Sequence, residues 1–68
     1  MMMTKRHKQI LEILKFSGNA DVETLVQILG VSEPTVRRDL TALENKGCLI
    51  RTFGGAQRLP EKSLVANF

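Results

Sequence analysis

The 68-residue sequence predicts a mostly α-helical domain that ends in a small β-hairpin. Three successive segments carry apolar residues at the spacing of an amphipathic helix. After Gly47 the spacing changes, and two short runs of β-favouring residues flank the pair Gly54 and Gly55. Because 43% of the residues are hydrophobic, the chain can fill one compact core, and its length suits one small domain.

The first helix is predicted by Ile10, Ile13 and Leu14, which follow helical spacing. Thr4 is its predicted N-cap, and Gly18 is its predicted stop. Residues 19–21, Asn-Ala-Asp, then form a short connection. The second helix has apolar residues at positions i, i+3, i+4 and i+7, namely Val22, Leu25, Val26 and Leu29.

The third helix follows almost at once, after a turn that begins at Gly30. Ser32 is its predicted N-cap, accepting hydrogen bonds from backbone N–H groups of the first turn. The helix is expected to continue to Asn45 or Lys46, with a core face formed by Val36, Leu40 and Leu43. Two helices joined by a short turn and followed by a hairpin predict a three-helix winged helix-turn-helix.

The outer face of the third helix is polar and basic. At about 100° per residue, Arg38, Pro34 and Thr41 lie opposite the apolar face, and Thr35 and Arg37 flank them. Arginine presents a planar fork of donors to guanine or phosphate, and an α-helix fits the major groove of B-DNA. Adjacent arginines are also common on helix faces that contact only water. The position on the second helix of a helix-turn-helix favours DNA.

Three other polar features have structural interpretations. Asp39 lies at the edge of the core face and is predicted to be an ion-pair or hydrogen-bond partner. The basic start of the first helix is either a solvated helix end or a flank of the DNA backbone. His7 lies in that segment and has no second metal ligand near it in sequence, so we expect no metal site.

The hairpin predicts a wing that contacts phosphate. If Gly54 and Gly55 are the two loop residues, Arg51 faces Arg58 across the strands. Like charges at that position are destabilising, and a phosphate beside them would remove the cost. The alternative is that the two arginines splay apart into water. Phe53 is expected to pack between the hairpin and the third helix, or else to touch a sugar at the wing tip.

Charge and motifs exclude several classes of function. The net charge of +3 favours polyanionic partners, and no apolar run is long enough to cross a membrane. The chain has a single cysteine, Cys48, which fits a cytoplasmic protein and is predicted to be a small buried apolar residue. Catalytic Ser–His–Asp or Cys–His spacings, phosphate loops and cofactor motifs are missing, so we predict no enzyme and no cofactor. Sequence-specific RNA binding would need more aromatic residues.

Residues 6–56 resemble the N-terminal domain of the DeoR family of bacterial transcription regulators. The most specific matches are "LGVSEPTVRRDLTALE", which is close to the family's helix-turn-helix signature, and "GCLIRTFGGA" for the wing. The resemblance implies that Ser32, Thr35, Arg37 and Arg38 contact DNA. It also assigns Arg51 and the glycine turn to the wing, where Phe53 replaces a histidine that is common in the family.

The resemblance implies a repressor of sugar or related carbohydrate genes, with a larger C-terminal domain that binds a phosphorylated sugar and forms homo-oligomers. Residues 4–59 would be the DNA-binding domain, and residues 60–68 would begin a linker to a C-terminal domain absent here. The alternative is a winged helix that binds another protein, which requires an exposed apolar patch. The residues predicted to contact double-stranded DNA are Ser32, Pro34, Thr35, Arg37, Arg38, Thr41, Arg51, Gly54, Gly55 and Arg58.

Overall fold

A computed structural model describes residues 4–60. Three helices and three short strands follow one another in the order α1 (Lys5–Ser17), β1 (Asn19–Asp21), α2 (Val22–Leu29), α3 (Glu33–Asn45), β2 (Leu49–Thr52) and β3 (Gly55–Arg58). The predicted helices and hairpin are confirmed. The architecture is a mostly helical winged helix-turn-helix.

The ends of the helices follow local chemistry. The Thr4 hydroxyl accepts a hydrogen bond from the backbone N–H of His7 and so caps α1. Gly30 ends α2 in the left-handed conformation at φ 70°, which costs little only for glycine. This sharp stop lets α3 begin three residues later and cross α2 as the second helix of the pair.

The core lies between the three helices and the inner face of the sheet. The predicted core face of α3 is confirmed, since Val36, Leu40 and Leu43 are all 0% exposed. The other buried apolar side chains come from every remaining element: Ile10, Leu14, Ala20, Val22, Leu25, Leu49 and Ala56. Burial of one complete face of α3 fixes which face remains for a ligand. No helix within residues 4–60 is long and apolar enough to cross a membrane.

The connection predicted at residues 19–21 is wrong, because these residues form a strand. β1 pairs antiparallel with β3, and the sheet order is β1-β3-β2. Gly55 makes this pairing possible, since a Cβ there would lie 2.3 Å from the Ala20 carbonyl oxygen. Gly55, the second glycine of the Gly54–Gly55 pair, is therefore buried inside the sheet, where its missing side chain lets β1 approach β3 closely.

The predicted hairpin register is also wrong. Thr52 pairs with Gly55, so the loop consists of Phe53 and Gly54. Gly54 has φ 81°, which explains why a glycine stands there. Because the loop begins one residue earlier than predicted, the pairing shifts by two residues, Arg51 lies opposite Ala56, and the predicted pair of facing arginines does not form.

Candidate nucleic-acid interface

The outer face of α3 carries a guanidinium group that the domain does not use. Arg38 is exposed and makes no hydrogen bond or ion pair with any residue between 4 and 60. Its neighbours on this face, Pro34 and Thr41, are exposed as well. Since the opposite face of α3 is completely buried, the helix cannot rotate to hide Arg38. The group is therefore available to an external acceptor.

Arg37 differs from Arg38 because it already has a carboxylate partner. Its Nη2 donates to Glu33 Oε2 at 2.6 Å, and its Nε donates to the same oxygen at 3.0 Å. The pair is one helical turn apart, and both side chains are about half exposed, at 51% and 55%. Such exposed pairs exchange partners readily, because each is worth only about 0.3–0.5 kcal/mol.

Two hydroxyl groups mark the start of α3. The predicted N-cap position of Ser32 is confirmed, but the predicted hydrogen bond from a first-turn backbone N–H to its side chain is wrong, because the side chain makes no capping hydrogen bond. Its Oγ lies 3.0 Å from Thr35 Oγ1 instead. The first-turn N–H groups of a helix have no acceptor within the helix, and phosphate oxygens are well suited to them. The exposed hydroxyl of Ser32 lies at this end.

The wing is joined to α3 through Arg51. Its Nη1 donates to Thr41 Oγ1 at 3.0 Å, which links β2 to the outer side of the helix. Its Nε is buried and has no hydrogen-bond partner among residues 4–60. This arrangement brings Arg51, Thr41 and the exposed part of α3 into one continuous surface. At the wing tip, Gly54 is exposed on the same hairpin.

Two predicted contact residues lie apart from this surface. Arg58 donates from Nη1 to the Lys15 carbonyl oxygen at 2.8 Å, so it contacts the end of α1 at the base of the wing. Arg51 and Arg58 therefore do not face each other as predicted, and a phosphate contact by the wing stays a prediction. Gly55 is buried between two strands. Direct DNA contacts from Arg58 and Gly55 stay predictions, and their surroundings count against them.

Phe53 does not pack against α3. It is 107% exposed at the tip of the wing, so the expected packing role is wrong and the alternative, a contact outside the domain, remains.

The inner side of α3 holds a second polar cluster. Asp39 is 5% exposed and accepts hydrogen bonds from Arg6 Nε and, at 3.2 Å, from Arg6 Nη2. His7 Nε2 lies 3.3 Å from Asp39 Oδ1. The predicted structural role of Asp39 is confirmed. Its partners were not identified from sequence, since they lie 32 and 33 residues away.

The pKa values of this cluster reflect its ion pair. Burial raises the pKa of Asp39, but hydrogen bonds and charge from Arg6, followed by the His7 ring, lower it by more. The pKa of Asp39 therefore lies below its ordinary value. In turn, the hydrogen bond and charge of Asp39 raise the pKa of Arg6. Arg6 thus neutralises a buried carboxylate and joins α1 to α3.

No group of three or more His, Cys, Asp or Glu side chains within residues 4–60 is arranged to hold a metal ion. Arg6 and His7 both contact the Asp39 carboxylate, so this cluster is an internal ion pair. The chemistry that the outer surface offers is donation of hydrogen bonds and positive charge to an anion.

A comparison with protein families matches residues 6–62 to the DeoR-like helix-turn-helix domain. Among curated proteins, the lactose phosphotransferase system repressor of Lactococcus lactis subsp. lactis is 45% identical over 58 residues, covering 85% of this chain and 23% of its own length. The glycerol-3-phosphate regulon repressor of Escherichia coli K12 is 41% identical over 64 residues, covering 94% of this chain and 25% of its own length.

A third relative, the HTH-type transcriptional regulator GlpR of Haloferax volcanii, is 41% identical over 56 residues, covering 82% of this chain and 22% of its own length. The chain therefore spans about a quarter of the length of these relatives. No solved structure matches it.

Proposed function

Since the chain belongs to the DeoR-like helix-turn-helix family of transcription regulators, we propose that α3 enters the major groove of operator DNA. Ser32, Thr35 and Arg37 contact phosphates or base edges near the start of the helix, and Arg38 and Thr41 continue along its outer face. The observation that carries this proposal is Arg38, an exposed guanidinium without a partner on a helix whose other side is fully buried.

The wing adds contacts beside the helix. Arg51 is held at Thr41 by a hydrogen bond, so a duplex that reaches α3 also lies close to the hairpin. Gly54 presents an exposed backbone at the tip, which approaches a phosphate without obstruction from a side chain. Arg51 and Gly54 thus follow the DNA backbone next to the groove that α3 occupies.

The biological role is repression of genes for sugar or related carbohydrate metabolism in the cytoplasm. Relatives named as repressors of a lactose phosphotransferase system and of a glycerol-3-phosphate regulon support this role. We also propose that residues 4–59 form the DNA-binding domain and that a further C-terminal domain binds a phosphorylated sugar and forms a homo-oligomer. Oligomerisation would set the spacing of two such domains on their half-sites.

The test is a titration of the chain with duplex DNA at several salt concentrations. We expect weak binding, with a Kd of about 10⁻⁴–10⁻⁶ M for non-specific duplex. Arg38→Ala should reduce the free energy of DNA binding by on the order of 1–3 kcal/mol if Arg38 contacts a base, and the double variant Arg37→Ala/Arg38→Ala should reduce it further. Each lost phosphate contact should reduce the salt slope by about 0.9.

The matched control is Lys15→Ala, which removes a positive charge from an exposed position on α1. It should bind DNA as the unchanged chain does. Unchanged binding by the Arg37→Ala/Arg38→Ala variant would show that α3 is not the recognition helix.

The protein-binding alternative has one observation in its favour. Phe16 and Ile28 are 81% and 57% exposed and line a shallow cleft with Ile13 between α1 and α2. This is the kind of apolar patch that the alternative requires. The protein-binding alternative would be favoured over DNA binding if the unchanged chain bound no duplex but captured a protein partner, and if Phe16→Ser abolished that capture.

A further inference from the structure

A shallow apolar groove lies beside α1, at the base of the wing. Its volume is about 440 Å³, and its walls come from α1 and from the residues that flank the strands of the hairpin. None of the residues that line it belongs to α3, so the groove is separate from the outer face of that helix. The apolar side chains that line the groove are Leu11, Leu14, Cys48 and Leu59.

The chain leaves the described residues at one end of this groove. The backbone N–H of Arg58 donates to the Gly18 carbonyl oxygen at 2.9 Å, and its Nη1 donates to the Lys15 carbonyl oxygen at 2.8 Å. These bonds hold the end of β3 against the end of α1. Leu59 follows immediately and lines the groove, where it is 41% exposed. The polypeptide after Pro60 therefore starts beside an apolar surface that stays partly exposed within residues 4–60.

The eight residues that follow, 61–68, lie outside the described part of the chain, and their sequence suits the groove. The segment Glu-Lys-Ser-Leu-Val-Ala-Asn-Phe carries three large apolar side chains, Leu64, Val65 and Phe68. Eight extended residues reach at most about 26–29 Å, and the 13 residues of α1 span about 20 Å. The segment is therefore long enough to follow α1 along the whole groove.

The rim of the groove carries positive charge. Lys15 borders it, and the groove continues along α1 to Lys8. Both lysines are exposed, and Glu12 is the one carboxylate that lines this continuation. Since the segment begins with Glu61, it brings a carboxylate to these cations first. Exposed ion pairs contribute little stability, so the apolar contacts must supply most of it.

We propose that residues 61–68 dock in this groove, with their apolar side chains on its floor and Glu61 towards Lys15. Docking removes apolar surface of both the groove and the segment from water. It also holds the polypeptide that follows the winged helix-turn-helix against α1, on a side of the domain that α3 does not occupy. The junction is then a fixed arm and not a flexible tether, so it limits the positions that a following domain can take. This inference does not rest on the proposed function.

Cys48 tests the proposal, because it is the only cysteine in the chain and lines the groove. Its thiol reacts with iodoacetamide, a small neutral reagent, only when the groove is open. Leu64→Asp/Val65→Asp places two charges where docking would bury them, so docking should be lost. Alkylation of Cys48 in this variant should be about three- to tenfold faster than in the unchanged chain at the same pH.

Ser63→Asp/Asn67→Asp is the matched control, since it adds the same two charges to the segment at polar positions. Its Cys48 should react as slowly as that of the unchanged chain. A second readout does not depend on these variants. The chain has no tryptophan, so Phe68→Trp introduces a single reporter. Its indole should emit at a shorter wavelength in the chain than in a free peptide of residues 61–68 with the same substitution.

Three results would overturn the inference. The first is an equal alkylation rate of Cys48 in the unchanged chain and in Leu64→Asp/Val65→Asp. The second is an indole emission in the chain that equals that of the free peptide. The third is an alkylation rate that falls as the protein concentration rises, which would assign the groove to a second copy of the chain. No DNA is present in these measurements, so none of their results bears on the proposed function.

Discussion

Arg38 and Asp39 are neighbours in sequence, yet they lie on opposite sides of α3 and differ in every physical respect. Asp39 is 5% exposed, and Arg6 and His7 supply its hydrogen bonds. Arg38 is exposed and has no partner among residues 4–60. A buried charge must be paired within the fold, because leaving it unpaired costs several kcal/mol. A charge on the outer face meets no such requirement and remains available for a ligand.

The comparison assigns stability to one side of the helix and binding to the other. Changes on the inner side should alter the free energy of unfolding and reduce DNA binding only through the folded fraction. Changes on the outer side should alter DNA affinity and leave the free energy of unfolding within about 1 kcal/mol. An outer-face variant that unfolds the domain, or an inner-face variant that weakens DNA binding while the domain stays fully folded, would contradict this assignment.

The largest effect is expected for Leu40→Ala on the inner face. Leu40 is 0% exposed, so the change removes a fully buried side chain and leaves a cavity. We expect a loss of about 2–5 kcal/mol in the free energy of unfolding, measured by urea denaturation. Domains of this size are held by only about 0.05–0.15 kcal/mol per residue, so much of the population should unfold. A stable Leu40→Ala chain with impaired DNA binding would contradict the assignment of Leu40 to the core.

Asp39→Asn should give the next largest effect, with a characteristic pH dependence. The variant keeps the shape of the side chain but loses its charge, so we expect about 1–3 kcal/mol lower stability near neutral pH. The folded-state pKa of Asp39 is lowered below its ordinary value of 3.8. The carboxylate therefore stabilises the fold above that pH, and its contribution disappears as the pH falls through the folded-state pKa.

Urea denaturation at a series of pH values measures this difference. The stabilities of Asp39→Asn and the unchanged chain should converge as the solution is acidified below pH 3.8. Glu12→Gln is the matched control, because Glu12 is exposed on α1 and the same charge is removed. A constant difference between Asp39→Asn and the unchanged chain across the whole range would show that the carboxylate's charge does not stabilise the domain.

The sequence could predict the parts of the fold that local chemistry determines. The helices and the α3 core face follow from the spacing of apolar residues and from caps such as Thr4 and Gly30. The failures involve partners distant in sequence. β1 becomes a strand only because β3 lies beside it, and Gly55 was mistaken for a loop residue because its contact with Ala20 is non-local.

The contrast between local and distant contacts also explains which site residues could be inferred from the sequence and which could not. A helical wheel placed Arg38 on the outer face, because α3 is regular. The wing depends on the strand register, and an error of one residue in the position of the loop shifts the partner of Arg51 by two residues, from Arg58 to Ala56. The i,i+4 spacing of Glu33 and Arg37 is a local signal that predicts their ion pair, whereas Arg38 has Pro34 and Ala42 at the same spacings and therefore no carboxylate partner on its own helix.

The smallest expected effect tests the outer face most closely. Glu33→Gln removes the carboxylate that holds Arg37 and also removes a negative charge from the first turn of α3. Loss of the exposed pair lowers the free energy of unfolding by about 0.3–0.5 kcal/mol, and loss of the helix-dipole interaction lowers it by a similar amount. DNA affinity should instead rise at low salt, because Arg37 no longer exchanges a carboxylate for a phosphate and one repulsive charge is gone. Salt titration of duplex binding, with Glu12→Gln as the control, measures the change. Weaker binding by Glu33→Gln would mean that Glu33 holds Arg37 in its DNA-binding orientation, so the ion pair would itself be part of the recognition surface.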